Sequence, residues 1–151
     1  GVDWLISVFD KIKINAELHL FGKGELTKES VEILSRNDKI YDHGFLREDE
    51  LLKELDDIDV IVAPSLWDEP FGRVILDGYK NACPVIITNR GGMPEVVENK
   101  KTGHAFLYPS KNAMSSRCSY VYEYTREYKE NVALYQRKTE RLHRSRTGQI
   151  F

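Results

Sequence analysis

IDVIVAPSLWDEPFGRVILDGYKNACPVIITNRGGMPEVV, residues 58–97, decides the fold. Val60 to Ala63 and Pro84 to Thr88 are short apolar runs rich in β-branched residues, which suit parallel strands covered on both faces. Between them, Gly72 to Ala82 holds little but helix formers after its start. A strand, a helix and a strand with connections this short predict a right-handed βαβ unit. Gly91-Gly92 reads as a turn into another helix, Pro94 to Asn99, with Pro94 suited to its first turn. Trp67, Asp68, Glu69, Phe71, Gly72 and Arg73 fall where the first strand ends and the helix begins. In open α/β sheets ligands bind there, outside the carboxyl ends of the strands.

On the amino-terminal side, Trp4, Leu5, Val8, Phe9 and Ile12 recur at spacings of three and four and predict a helix over 1–15. Glu17 to Gly22 alternates and ends at Gly22-Lys23-Gly24, a strand and a tight turn. Thr27 is a candidate cap for a helix through about Ser35, with Val31 and Leu34 facing inward. Lys39 to Gly44 reads as a strand, Phe45 and Leu46 as a loop, and Arg47 to Asp56 as a helix burying Leu51, Leu52 and Leu55. On the carboxyl-terminal side, Thr102-Gly103 turns into a last strand, His104 to Tyr108. Tyr120, Tyr124, Tyr128, Val132 and Tyr135 predict a helical region between about 112 and 146 that packs on this domain or on a partner domain. The alternation of helices and strands defines an α/β chain with a mainly parallel sheet.

Composition sets bounds on this reading. The 151 residues carry 41% hydrophobic and 30% charged residues, enough for one core in a soluble chain. A net charge of −2 argues against nucleic acid as the main ligand. The basic tail from Arg137 to Arg146 reads as a solvated face, with a membrane-surface or phosphate-binding role as the minority reading. Cys83 and Cys118 fit no metal spacing, and Cys83 reads as a buried thiol at a helix–strand junction. His19, His43 and His104 lack metal-site spacing and read as structural. No signal peptide or membrane-length apolar run is present, which points to the cytoplasm, with the inner membrane face as the alternative.

Glu69 and Asp77 are eight residues apart and would flank a helix N-terminus whose free N–H groups attract anions. A diphosphate on the Arg73 and Val74 amides would lie between the two carboxylates, a geometry suited to a nucleoside diphosphate with a polar substituent. The competing reading is two unrelated surface acids, and spacing alone leaves the two even. Gly91-Gly92 alone reads as a strand-to-helix turn. Gly22-Lys23-Gly24 lacks the third glycine of a dinucleotide fingerprint, and Lys23 is either a phosphate ligand or a solvated lysine.

The run Pro64 to Asp77, then Pro84-Val85-Ile86, then Gly91 to Glu95 and Thr102-Gly103, resembles the C-terminal domain of retaining glycosyltransferases of family 4 (glycosyltransferase group 1), over about residues 1–110. The resemblance implies a GT-B architecture, two Rossmann-like domains around a cleft. It implies a nucleotide-sugar-binding domain over 1–110 and a C-terminal helical segment over 111–151. Glu69 matches the first acid of the family's paired-acid motif, expected on the donor-sugar hydroxyls and classed here as catalytic. Phe71, Gly72, Arg73 and Val74 match the segment whose amides meet the sugar and distal phosphate. Asp77 matches the second acid, expected on the ribose, where the family usually has Glu. Gly44, Phe45 and Leu46 match the loop beside the base, and Gly22, Lys23, Gly91 and Gly92 complete the donor-binding set. No cofactor and no metal is implied beyond the nucleoside diphosphate sugar itself.

The family also carries an Arg and a Lys on the loop after its first strand, and this chain starts at residues resembling those just after that Lys. In the strand order 3-2-1-4-5-6 that first strand is central. Without it, Glu17–Phe21 and Val60–Ala63 should stand two strand spacings apart, roughly 9.6 Å. The resemblance therefore implies a partial domain and an absent N-terminal acceptor-binding domain. The intact enzyme is expected to transfer a sugar to an acceptor hydroxyl with retention, and residues 1–151 alone are expected to be inactive. A non-catalytic nucleotide-binding or interaction module and a GT-B nucleotide-sugar epimerase are the alternatives.

Overall fold

The structure is a computed structural model and describes residues 1–106, 127 and 130–133. Its elements run α1 (Val2–Phe9), β1 (Leu18–Leu20), α2 (Lys28–Arg36), β2 (Ile40–Asp42), α3 (Glu48–Leu55), β3 (Ile61–Ala63), α4 (Arg73–Lys80), β4 (Val85–Thr88), α5 (Met93–Val96) and β5 (Gly103–Phe106). Every strand pairing is parallel. The chain is an α/β fold with the expected alternation. The strands fall into two sheets, β1-β2 and β3-β4-β5. β1 and β3 are not paired, so the predicted interruption of the sheet is present.

β4 explains why the three-stranded sheet is covered on both faces. All four of its residues are buried. Ile86 packs into one core with Leu5, Ile6, Leu18, Ile33 and Phe106. Val85 and Ile87 point the other way, into a core with Leu55, Ile61, Ile75 and Met93. This is the alternation of a strand between two helical layers. Burial of a side chain such as Ile75, which is fully enclosed, contributes about 1.5–3 kcal/mol. Val132, in the helical stretch 130–133, is also buried in the second core. The rest of the predicted C-terminal helical region, with Cys118 and the basic tail, lies outside the described residues.

Three expectations need correction. The first helix ends at Phe9, not near Asn15. The Asp10 carboxylate just beyond it accepts from Arg36 and Asn37 at the end of α2, which holds the chain there as it leaves the helix. In α2, Thr27 is the cap as predicted, accepting from the Ser30 amide at 3.3 Å. Val31, however, is 54% exposed, and the helix turns Ser30 and Ile33 inward. The Ser30 hydroxyl donates to Asp3 Oδ1 on α1 at 2.6 Å, so a polar contact between helices sets the inward face. In α3, Leu55 is buried while Leu51 and Leu52 are half-buried.

Cys83 is buried, as expected. Among the described residues no helix is long and apolar enough to cross a membrane.

Candidate functional site

The loop after β3 carries the first acid. Three contacts tie it to the turn after β4. The Thr88 hydroxyl donates to the Ser65 carbonyl at 2.6 Å, the Arg90 guanidinium pairs with Asp68 at 3.6 Å, and the Gly92 amide donates to the Glu69 carbonyl at 2.7 Å. The Glu69 carboxylate accepts from the Ser65 hydroxyl at 3.4 Å and is half-buried. Ser65 was not singled out from sequence. Its position, two residues past the end of a strand and four before an acid, was the available signal.

Gly91 and Gly92 make this arrangement possible. A Cβ on Gly91 would stand 2.2 Å from the Glu69 carbonyl oxygen, and one on Gly92 would stand 2.1 Å from the Pro70 carbonyl oxygen. The glycine pair is therefore a seat for the acid loop, packed backbone on backbone.

Gly72 starts α4 with φ 75°, a left-handed conformation that favours glycine. A Cβ there would lie 2.7 Å from Met93 Cγ. The first intrahelical bond runs from the Ile75 amide to the Gly72 carbonyl at 2.9 Å, so the Arg73 and Val74 amides precede it at the positive end of the helix. Glu69, Gly72, Arg73 and Val74 line a 240 Å³ pocket with Ser65 and Met93.

A larger cavity of 1210 Å³ adjoins it. Gly22, Lys23, Gly44, Phe45 and Asp77 line that cavity, and Val74 lines both. Val74 and Asp77, three residues apart, thus share a face of α4. Asp77 pairs with Lys80 at 3.3 Å. The Gly22 amide donates to the Gly44 carbonyl at 2.7 Å, joining the two glycine turns. Lys23 Nζ sits 4.2 Å from the centre of the Phe45 ring, a cation–π contact.

Four of the predicted residues line neither cavity: Phe71, Leu46, Gly91 and Gly92. Phe71 is exposed and Leu46 half-buried. His19, His43 and His104 have evident partners. His104 is buried with Nδ1 3.0 Å from Asn99 Oδ1, and His19 and His43 stack with a ring separation of 5.1 Å.

Residues 1–123 match the family described as glycosyl transferases group 1, and the chain belongs to that family. It is 32% identical over 114 residues to an uncharacterized glycosyltransferase of Methanocaldococcus jannaschii, a match covering 72% of this chain and 29% of that protein. It is 32% identical over 109 residues to the sulfoquinovosyl transferase SQD2 of Arabidopsis thaliana, covering 70% of this chain and 21% of that protein. The chain therefore spans less than a third of the length of these relatives. Anabaena HepE in complex with UDP superposes with a TM-score of 0.77 at 21% identity, over 87% of this chain and 38% of that one. The shared fold is that of the GT-B glycosyltransferases.

Proposed function

We propose that this chain is the donor-binding part of a glycosyltransferase that moves a hexosyl group from a nucleoside diphosphate sugar to an acceptor hydroxyl, with retention of anomeric configuration. The observation that carries the reading is the convergence of Glu69, Gly72, Arg73 and Val74 on one pocket that adjoins, through Val74, the cavity lined by Lys23, Phe45 and Asp77. In this reading Glu69 holds hydroxyls of the donor sugar. The Arg73 and Val74 amides, at the positive end of α4, receive the distal phosphate and stabilise the charge that grows on it as the sugar leaves. Asp77 holds the ribose and the Gly44–Leu46 loop borders the base. HepE complexes with UDP and with UDP-glucose share the fold and support the choice of ligand class. The acceptor is held by a further domain of the intact enzyme, which works in the cytoplasm or at the inner face of a membrane.

The test is a thermal-shift screen of the intact enzyme against UDP-, GDP- and ADP-sugars, followed by transfer assays with the stabilising donor. Stabilisation by one nucleotide class, and sugar transfer that requires an acceptor, are expected. No stabilisation by any donor counts against the reading. Interconversion of the sugar nucleotide without an acceptor would replace it with an epimerase.

A further inference from the structure

The register between β3 and β4 ends at the pair Ala63 and Ile87. Past it the two chains stay joined, but by other groups. Thr88, the last residue of β4, is fully buried, and its hydroxyl donates to the Ser65 carbonyl at 2.6 Å. Arg90 pairs with Asp68, and the Gly92 amide donates to the Glu69 carbonyl. Every second residue from 88 to 92 thus holds one residue of the acid loop. Asn89, between the first two, sends its amide the other way, to the Phe106 carbonyl at the end of β5.

The three holds are not equivalent. The Arg90–Asp68 pair joins two exposed side chains at 3.6 Å, and such pairs contribute little. The Gly92 bond fixes the main chain of Glu69 but leaves its carboxylate free to turn about the side-chain bonds. The Thr88 bond is short and its donor is buried. Threonine is β-branched and keeps few χ1 rotamers, so its hydroxyl is aimed with little freedom. Burial also removes water as an alternative partner, which keeps the hydroxyl on the Ser65 carbonyl.

What Thr88 holds is the residue whose hydroxyl meets the acid. The Ser65 hydroxyl accepts from the Trp67 amide at 3.4 Å. Its one proton has two acceptors in reach, the Trp67 carbonyl at 3.3 Å and Glu69 Oε1 at 3.4 Å. Bonds of this length are weak singly, and they persist only while the Ser65 main chain stays in place. Ser65 and Glu69 both line the 240 Å³ pocket. Thr88 lines neither cavity, so it acts there through Ser65.

We propose that Thr88 is the positioning residue for Glu69, an inference that rests on the reading of Glu69 as the acid at the donor sugar. The buried Thr88 hydroxyl sets the Ser65 main chain, and the Ser65 hydroxyl sets the Glu69 carboxylate. The orientation of the acid is thereby chosen before the donor arrives. Preorganisation of this kind acts on the reacting geometry more than on affinity. A carboxylate displaced by about 1 Å slows the chemical step, while a nucleotide held by other residues binds as before.

The test measures nucleoside diphosphate release by the intact enzyme from a panel of UDP-, GDP- and ADP-sugars at varied donor concentration. Thr88→Val should lower kcat about tenfold or more with donor KM within about twofold, and Thr88→Ser should recover most of the loss. Ser65→Ala should lower kcat similarly, and adding Thr88→Val to it should cost no further turnover, since the two residues act in one chain. If Thr88→Val does not fold, Ser65→Ala, on a surface loop, carries the test. A role in stability alone would lower Tm in Thr88→Val and leave kcat of the folded enzyme unchanged, which would overturn the proposal. So would an unchanged kcat in Ser65→Ala, or losses that appear in KM alone. Glu69→Ala in the same assay keeps the two readings apart. Turnover lost in Glu69→Ala but kept in Thr88→Val and Ser65→Ala overturns this proposal alone. Turnover kept in Glu69→Ala, or absent from the unaltered enzyme with every donor, overturns the donor-site reading and this proposal with it.

Discussion

The Gly92 amide donates to the Glu69 carbonyl at 2.7 Å, and the Pro70 carbonyl lies so close that no side chain fits at Gly92. The position of the acid is thus set by a glycine more than twenty positions further along the chain. Gly92→Ala isolates this relationship, because Gly92 has φ −83° and incurs no conformational strain as alanine. Its Cβ must push the acid loop away. We expect a stability loss of about 1–3 kcal/mol by overpacking and a larger fractional loss of turnover in the intact enzyme. Gly24→Ala, with nothing within 4 Å of the new Cβ, serves as the control and should change neither. Chemical denaturation and transfer kinetics on the pair read both quantities.

The two acids should fail differently. On the proposed roles, Glu69→Ala is expected to lower kcat of the intact enzyme by about 100-fold or more, by removing a contact with the reacting sugar. Asp77→Ala should act mainly on donor binding, raising the donor KM about tenfold with kcat less affected. Steady-state kinetics with varied donor separates the two. Equal effects on both parameters from both changes would contradict the assigned roles.

α4 ends in a strained residue. Ala82 has φ 54°, and the Cys83 amide donates back to the Gly78 carbonyl at 2.9 Å, the closing bond of a helix C-terminus that usually has glycine at this position. Ala82→Gly should therefore stabilise the chain by about 0.5–1 kcal/mol, offset in part by the greater freedom of unfolded glycine. A rise in the denaturation midpoint with unchanged slope checks it.

The α1–α2 contact carries a pH dependence. Asp3 accepts from the Ser30 hydroxyl, the Thr27 amide and the Thr27 hydroxyl, and these bonds hold its carboxyl below its usual value of 3.8. Asp10 is lowered as well, first by the bond from Arg36. Groups depressed in the folded state contribute stability that is present above the unfolded pKa and lost as pH falls through the folded one. Tm should hold steady down to about pH 5 and decline below it. Asp3→Asn should lower Tm at pH 7 and flatten the acid decline. A decline of unchanged steepness in Asp3→Asn would assign it to other groups.

The parts of this chain that were legible in its sequence share a local cause. The β-branched runs at 60–63 and 84–88, the Thr27 cap and the breaks at Gly22 and Gly44 each depend on neighbours a few residues away. The unpaired sheet edges were inferred from the resemblance, and the strand pairing agrees. What was not legible depends on contacts remote in sequence. Val31 looked like a core residue because valine is apolar, but Ser30 turns inward to reach Asp3. Helix α1 looked longer because its apolar spacing continues to Ile12, but Asp10 is held by Arg36 and Asn37. In the candidate site, the start of α4 was legible from residue type, while spacing left the reading of Glu69 and Asp77 even and their expected roles came from the resemblance. The service of Gly91 and Gly92 as a seat for the acid loop, and the hydroxyl of Ser65 beside Glu69, appear only once β3 and β4 lie side by side.

β1 and β3 lie in separate sheets, and α1 has contacts on both sides. Among the described residues no strand ladder joins β1 to β3, and α1 packs with residues of both sheets in one core. Asp3 and Asp10 fasten its ends to α2 on the two-stranded side. On the three-stranded side, the Trp4 ring stacks on Phe106 at 5.6 Å. α1 therefore orients the two sheets relative to each other through side-chain contacts on both of its sides.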